Sequence, residues 1–337
     1  MLLGILINIF LSAISQAFQL PFRINLFNNI SVGIMLGILC GLIIGFIDYL
    51  FEAQYFRRKS LGIIFLMKAI ISFIVFVTLF SMVRFILFEK LIKPFLAESG
   101  PYFNEQFWKY WFYLFIVYNF VMILIITFIN QVNKKYGPGI LIPLLLGKYR
   151  NPKEEERIFM FMDLKSSTTI AETLGHIKYS SFIRDSFMDI NLMLNKFNAE
   201  IYQYVGDEIV IMWSLKNGLK EQTCLKFFFT CGEQFKKRSS YYLENYNTIP
   251  QFKAGLHMGK ITIVEIGEIK RDLAYHGDTI NTTARIQSIC NEHNKSLLIS
   301  KFLFDNINTD ENYKTESLGL IYLKGKQNAV EIISIEL

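Results

Sequence analysis

Ile201-Tyr202-Gln203-Tyr204-Val205-Gly206-Asp207-Glu208-Ile209-Val210-Ile211-Met212-Trp213 is the stretch on which the fold turns. It reads as two short apolar strands joined by a tight Gly206-Asp207 turn, which is β-hairpin chemistry. A carboxylate at such a tip is carried by two rigid strands yet open to solvent, a mounting that suits a metal-binding group. Asp is also common in turns for backbone reasons alone. The reading of Asp207 therefore depends on a second carboxylate arriving beside it.

Working outward, Arg157-Ile-Phe-Met-Phe-Met162 has the pattern of a buried strand bounded by charge and ends at Asp163. Ser166-Ser-Thr-Thr169 opens a helical stretch through Leu174 that Gly175 interrupts. A longer amphipathic helix follows over about 177–197, with Phe182, Phe187, Ile190, Leu194 and Phe197 near helical spacing. After the hairpin, about 199–214, the pattern predicts a helix over about 219–242, a strand at Gln251–His257 and another at Ile261–Ile266. A helix from Asp278 to about Cys290 and strands near 296–300 and 318–323 complete the chain. The order β-α-β-β-α-β, with additions, predicts an α+β domain with a ferredoxin-like core.

In that topology the end of the first strand and the tip of the central hairpin lie side by side, so Asp163 and Asp207 would face one another. Two neighbouring carboxylates repel unless a cation neutralises them, an arrangement that recruits Mg²⁺ or Mn²⁺. Two such ions could activate an attacking oxygen and hold the leaving phosphate of a nucleotide. The competing account of Asp163 is a helix N-cap for the Ser/Thr run behind it. A second constellation is Tyr275-His276-Gly277-Asp278-Thr279-Ile280-Asn281-Thr282-Thr283-Ala284-Arg285. Asn281 and Arg285 are four apart on a helix and share a face. An amide and a guanidinium together can hold a ribose oxygen and a phosphate, although a solvated polar stripe is the ordinary alternative. In Leu323-Lys324-Gly325-Lys326 a lysine after a strand could reach phosphates, a weak signal by itself.

Composition divides the chain in two. Of its 337 residues 52% are hydrophobic and 19% charged, with a mean hydropathy of +0.31, too apolar for an ordinary soluble protein. Residues 1–133 carry nine Lys/Arg and five Asp/Glu, and the remaining 204 carry 26 and 24. A membrane-like part thus precedes a soluble-like one. The net charge of +6 comes without a long basic run, which argues against nucleic acid. The four cysteines, Cys40, Cys224, Cys231 and Cys290, lack CxxC spacing and fit a reducing compartment better than a zinc site or disulfide framework.

Four apolar segments, about 2–20, 31–51, 61–83 and 110–130, are each near the ~20 residues a helix needs to cross a bilayer. The first lacks a positive leader region and a cleavage site, and reads as a span. Arg57-Arg58-Lys59 between the second and third should stay cytoplasmic. Both ends of the four-helix region are then inside, and Lys134, Lys135, Lys148 and Arg150 after the fourth span agree. The external connection Arg84–Lys109 departs from the rule, with four basic residues against three acidic. Asp48 and Lys68 lie near the inner boundary, where snorkelling accounts for them more simply than a sensing pair. Tyr102, Phe103, Phe107, Trp108, Tyr110 and Trp111 make an interfacial aromatic belt. Without repeated intramembrane charges, residues 1–130 read as an anchor, dimeriser or sensor and not a pump. Residues 131–156 read as a linker, and its run Ile140–Leu146 is too short to span and must rest on the membrane or pack on the next domain.

Over about 157–335 these motifs resemble the class III nucleotidyl cyclases, the adenylate and guanylate cyclases. The likeness rests on Phe161-Met-Asp163-Leu-Lys-Ser-Ser-Thr168, Val205-Gly206-Asp207, Gly255-Leu-His-Met-Gly259, Gly277-Asp-Thr-Ile-Asn281-Thr-Thr-Ala-Arg285 and Leu323-Lys324-Gly325. The resemblance implies a homodimer with active sites built across the interface, used in intracellular signalling; joined to the four apolar segments and their basic flanks, this predicts a membrane-anchored enzyme with its catalytic domain cytoplasmic. It implies Asp163 and Asp207 as ligands of two Mg²⁺ or Mn²⁺ ions, and Asn281 and Arg285 as a transition-state pair supplied by the other subunit. It implies Lys324 as a triphosphate contact, and Thr168 and Gly206 among the substrate-binding positions. The implied reaction is attack of the ribose 3′-oxygen on the α-phosphate, giving a 3′,5′-cyclic nucleotide and pyrophosphate, with positioning and charge stabilisation supplying most of the rate. Every catalytic position is occupied, which argues against a degenerate pseudo-enzyme.

The departures fall at the base-reading positions. Adenylate cyclases commonly carry Lys where this chain has Gln203, and Asp, Thr or Ser where it has Ala274; the Glu and Cys-like pair of guanylate cyclases is also absent. Gln203 can donate and accept hydrogen bonds, and Ala274 can do neither with its side chain. ATP is the expected substrate, with GTP or a pyrimidine triphosphate left open. Gly206-Asp207-Glu208 also resembles part of a diguanylate cyclase signature, but Val205 and Ile209 depart from it. A membrane receptor whose cyclase-like domain only binds nucleotide is the rival from another class.

Overall fold

The computed structural model describes residues 61–82, 105–136, 141–269, 271–307 and 313–337, with Phe85 and scattered positions from 34 to 50. The chain divides into two compact units, Met1–Gln131 and Val132–Leu337. In the first, helix α1 spans Leu61–Met82 and helix α2 spans Glu105–Tyr136, overlapping the third and fourth expected spans. The first expected span and most of the second, Asp48 included, lie outside the described residues. Among the described residues no helix is long and apolar enough to cross a membrane, and several side chains of α1 and α2 fall outside them. The described residues therefore do not support the expected four-span region.

The second unit begins with the short helix α3, Leu141–Leu145. Its residue Leu144, with the buried Tyr149, packs into a cluster with Phe159, Phe161 and Tyr275, while Ile142, Leu145 and Leu146 are exposed. Of the two expectations for the run Ile140–Leu146, packing against the following domain holds for Leu144. The joint is also stapled by charge: Lys148 Nζ lies 3.0 Å from Glu155, whose other oxygen accepts from Arg157 at 2.8 Å.

Strand β1, Lys153–Leu164, is central. Helices α4 (Ser167–Leu174) and α5 (His176–Leu194) follow, then the hairpin of β2 (Glu200–Val205) and β3 (Glu208–Ser214). Three helices come next, α6 (Leu215–Leu219), α7 (Thr223–Lys237) and α8 (Ser239–Tyr246). Strands β4 (Phe252–Ile266) and β5 (Asp272–His276) lead into helix α9 (Asp278–Ser288). Strand β6 (Leu297–Ser300), helix α10 (Lys301–Phe304), and strands β7 (Lys314–Ile321) and β8 (Val330–Glu336) end the chain. The sheet order is β2-β3-β1-β4-β6-β8-β7, with β5 on β4. The first four strands are antiparallel neighbours, giving the expected βαββαβ core, and β6 adds in parallel to β4.

Four parts of the fold differ from the expectation. The helix expected over 219–242 is broken: Arg238 leaves helical geometry (φ −100°, ψ 18°) between α7 and α8. There its guanidinium pairs with the buried Asp189 and lies over the Tyr241 ring, 4.2 Å from the centroid. The two strands expected at 251–257 and 261–266 are one continuous strand, β4. Strands β5 and β8 were not anticipated.

The two sheet faces are covered unequally. Alternate residues Ile158, Met160, Met162 and Leu164 join Phe182, Ile190, Trp213, Phe227 and Tyr242 in the main core beneath α5, α7 and α8. Fully burying each such side chain contributes about 1.5–3 kcal/mol. Trp213 Nε1 donates to the Phe197 carbonyl at 3.1 Å, so burial strands no indole N–H. The other face holds a smaller cluster around Phe159, Phe161, Val210, Met212 and Tyr275, packed by Ile280 and Ala284 of α9.

Helix α9 approaches β4 closely because two glycines let it. A Cβ on Gly255 would lie 2.3 Å from the Gln287 backbone nitrogen and 2.8 Å from the Thr283 carbonyl oxygen; one on Gly259 would lie 2.6 Å from Thr279 Oγ1. The glycines are four apart in a strand, so both face the helix. Gly259 thus makes room for a helix and does not break the strand. His257 lies between them in sequence and points the same way, its Nδ1 2.7 Å from Ser300 Oγ. Burial, with Lys326 nearby, pushes His257 down to about 4, while Asp278 opposes the shift.

Gly255→Ala should destabilise the domain by roughly 2–3 kcal/mol through overpacking against helix backbone that cannot move aside, read as a lowered denaturant midpoint. His257 titrates lower folded than unfolded, so its contribution is present above its ordinary value of 6.5 and is lost as pH falls toward about 4. The wild type should therefore lose stability between these pH values more steeply than His257→Gln, by on the order of 1–3 kcal/mol. Parallel denaturation curves across that window would refute the assignment.

Candidate active site

Gly206 takes a left-handed φ of 61°, which a side chain would strain, and this turns Asp207 out at the hairpin tip. Asp163 stands near the end of β1, in register with Glu208 of β3 on one side and Lys253 of β4 on the other. Asp163 is thus a strand residue and not the N-cap of α4; Ser166 holds that position, left-handed at φ 58° and without a side-chain cap bond. Thr168 lies exposed in the first turn of α4, beside backbone N–H groups that no capping side chain satisfies.

Asp163 and Asp207 act on the same neighbours. Burial first, and then the charges of Asp163 and Asp207, raise Glu208 to about 7, while Lys253 opposes the shift. The Tyr179 hydroxyl is raised by burial and then by Asp207 and, less strongly, Asp163. The hairpin tip is thus a concentration of negative charge, and among the described residues the cation paired with it is Lys253, whose Nζ lies 3.1 Å from Asp163 Oδ2. That oxygen also accepts from Gln287 Nε2 at 3.2 Å. Among the described residues no three His, Cys, Asp or Glu side chains are grouped to hold a metal ion. Hard oxygen donors in a pair suit a Mg²⁺- or Mn²⁺-type ion that completes its shell with water and substrate phosphates.

A second group forms at the far end of α9. Asn281 is exposed and Arg285 half-buried. The Arg285 guanidinium lies against the turn after Leu323, since a Cβ on Gly325 would be 3.3 Å from its Nη2. Lys324, next in that turn, is exposed. Lys326 pins the turn to the helix, with its Nζ 2.7 Å from both Asp278 Oδ2 and Thr282 Oγ1. Arg285 and Lys324 are therefore brought together. Among the described residues no hydrogen bond or ion pair joins this group to Asp163 or Asp207.

Gln203 is exposed on β2, beside an irregularity in its pairing with β3, and Ala274 is half-buried on β5 opposite Val264. The two strands are not hydrogen-bonded neighbours, yet the Tyr202 and Tyr275 rings meet with centroids 4.9 Å apart, which draws the strands of Gln203 and Ala274 together. Sequence reasoning missed Lys253, Glu208 and Gln287 as members of the site. The available signal was alternation: Lys253 is two residues before Gly255 and so shares its face. Gln287 belongs to the helical surface that Gly255 receives.

Residues 150–334 match the family model described as the adenylate and guanylate cyclase catalytic domain. Adenylate cyclase 2 of Rhizobium meliloti (strain 1021) is 32% identical over 210 residues, covering 62% of this chain and 58% of that protein. The chain thus matches little more than half the length of this relative. Among solved structures, two of bacterial light-regulated adenylyl cyclases superpose with TM-scores of 0.53 and 0.54 at 18% and 15% identity. They cover 64% and 66% of this chain and 63% and 65% of theirs, and they support the fold. With more than half of its length matched by that family model, the chain belongs to the adenylate and guanylate cyclase catalytic domain family.

Proposed function

We propose that the protein is a membrane-anchored nucleotidyl cyclase converting a nucleoside triphosphate, ATP by family expectation, to a 3′,5′-cyclic nucleotide and pyrophosphate. The observation that carries the reading is the joint action of Asp163 and Asp207 at one sheet edge, strong enough to help hold Glu208 near 7. Uncompensated charge of that kind is relieved by a divalent cation. Asp163 and Asp207 would hold Mg²⁺ or Mn²⁺, two per site by family likeness. Bound there, the metal would supply Lewis-acid activation of the ribose 3′-oxygen and charge neutralisation at the phosphates.

The chain's own groups account for the remainder. The uncapped first turn of α4, with Thr168, offers N–H donors and a hydroxyl to phosphate oxygens three to five residues beyond Asp163. Gly206 keeps the hairpin tip free of a side chain that would crowd the substrate. Arg285 and Lys324 form a positive pair suited to charge developing on phosphoryl oxygens, and Asn281 can orient the ribose. Among the described residues these groups make no hydrogen bond or ion pair with Asp163 or Asp207, as a site shared across a homodimer would require. Gln203 and Ala274 are the proposed base-reading positions.

The proposal includes membrane anchoring by residues 1–130 with the catalytic domain on the cytoplasmic side, and the outward apolar surface of both helices supports the anchoring part. Leu66, Phe73 and Ile74 of α1 and Val117, Phe120 and Phe128 of α2 are each more than half exposed, an arrangement that water disfavours.

Purified full chain given each of the four nucleoside triphosphates with Mn²⁺ should form a cyclic product from ATP. Asp207→Ala should lower turnover by 10²-fold or more, about 2.7 kcal/mol, and unchanged product formation would sink the two-carboxylate reading. Mixing Asp163→Ala chains with Arg285→Ala chains should restore partial activity, because one complete site forms in the mixed dimer; a mixture as inactive as its parents refutes the shared site. An alkaline carbonate wash should leave the chain in the membrane pellet, and its release would refute the anchor.

A further inference from the structure

Asp163 has one carboxylate oxygen held twice. Oδ2 accepts from Gln287 Nε2 at 3.2 Å and lies 3.1 Å from Lys253 Nζ. Among the described residues Oδ1 takes no hydrogen bond or ion pair. The Gln287 side chain comes from a residue only 6% exposed, whose backbone nitrogen rests on the missing Cβ of Gly255. Gly255 is two residues from Lys253 on the strand that pairs with Asp163. The amide is therefore built in by the closest contact between α9 and the sheet, and the same helix carries Asn281 and Arg285.

We propose that Gln287 is a positioning residue, fixing Asp163 with Oδ1 turned outward and tying that carboxylate to the helix of Asn281 and Arg285. The inference rests on the reading of Asp163 as a metal ligand. The two partners of Oδ2 differ in kind. An amide orients a carboxylate without adding charge, whereas the Lys253 ammonium repels any cation that Asp163 is to bind. Without the amide, Asp163 keeps only the partner that competes with metal. In a homodimer with shared sites, α9 of one protomer serves the partner's carboxylates while its own Gln287 holds its own Asp163, so the hydrogen bond links the two sites.

Mn²⁺ titration of the full chain, followed by the electron paramagnetic resonance of free Mn²⁺, tests this without turnover. Gln287→Met should weaken Mn²⁺ binding by roughly tenfold, as outer-sphere partners of metal ligands do. It should also shrink the Mn²⁺-induced rise in Tm, a shift that a purely structural role would leave intact. Should that variant fail to fold, Gln287→Asn, which keeps the amide and shortens its reach, reads the same loss. Wild-type Mn²⁺ affinity in the folded variant overturns the proposal. Unchanged Mn²⁺ binding in Asp163→Ala instead removes the metal reading itself, so the two failures are told apart.

The link between sites has its own readout in dimers of an Asp207→Ala chain with an Arg285→Ala chain, where a single site survives. Gln287→Met on the Arg285→Ala chain, which supplies Asp163 to that site, should raise the Mn²⁺ concentration required. On the Asp207→Ala chain, which supplies Arg285, it should lower kcat and leave the Mn²⁺ requirement unchanged. The same effect from both placements overturns the linkage.

Discussion

The close seating of helix α9 on strand β4 is the contact on which the site depends. Two absent side chains let the helix in: at Gly255 its backbone, and at Gly259 the Thr279 hydroxyl, come to a distance no Cβ would tolerate. The helix then has no choice of face. Thr279, Thr283 and Gln287 turn inward and Asn281 turns out, because these positions follow from 3.6 residues per turn once the contact is set. Lys326 adds a clamp from the other side, joining the Leu323–Lys326 turn to Asp278 and Thr282. The Arg285–Lys324 pairing is a product of those two constraints.

Electrostatics at the opposite edge follow from sheet register. Antiparallel pairing puts Glu208, Asp163 and Lys253 in one row across β3, β1 and β4, with Asp207 one residue beyond in the turn. Lys253 offsets part of the charge, yet Glu208 still rests near 7. One ammonium against three carboxyl groups leaves the row short of positive charge, and a divalent ion supplies two units where one more lysine would supply one. The deficit is thus a property of strand order, present before any substrate arrives.

The hairpin and the first strand were legible because a period of two and a Gly-Asp turn are local signals. Asp163 and Asp207 became neighbours as soon as the βαββαβ order was accepted, and Arg285 and Lys324 were nameable from the family motifs. What the sequence concealed was contact that depends on depth. Gly259 looked like a break and is a socket for Thr279. Arg238, in a helical run, breaks the run because the buried Asp189 draws its guanidinium in. Lys253 and Gln287 carry no motif of their own; each matters through the oxygen it meets, and that meeting joins residues 124 apart in the chain.

Base selection is where register and chemistry part company. If Gln203 reads the base, it does so from an exposed strand with no side-chain hydrogen bond among the described residues to fix which way its amide points. An amide free to rotate by half a turn exchanges donor and acceptor, and so matches the complementary edges of adenine and guanine alike. Ala274, drawn near by the Tyr202–Tyr275 contact, has no polar atom with which to break the tie. A site of this kind discriminates weakly, because strong discrimination needs a buried polar group that the wrong base would leave unpaired. On that reading selectivity falls to whatever fixes the Gln203 amide, and among the described residues its own chain shows no side-chain hydrogen bond that does.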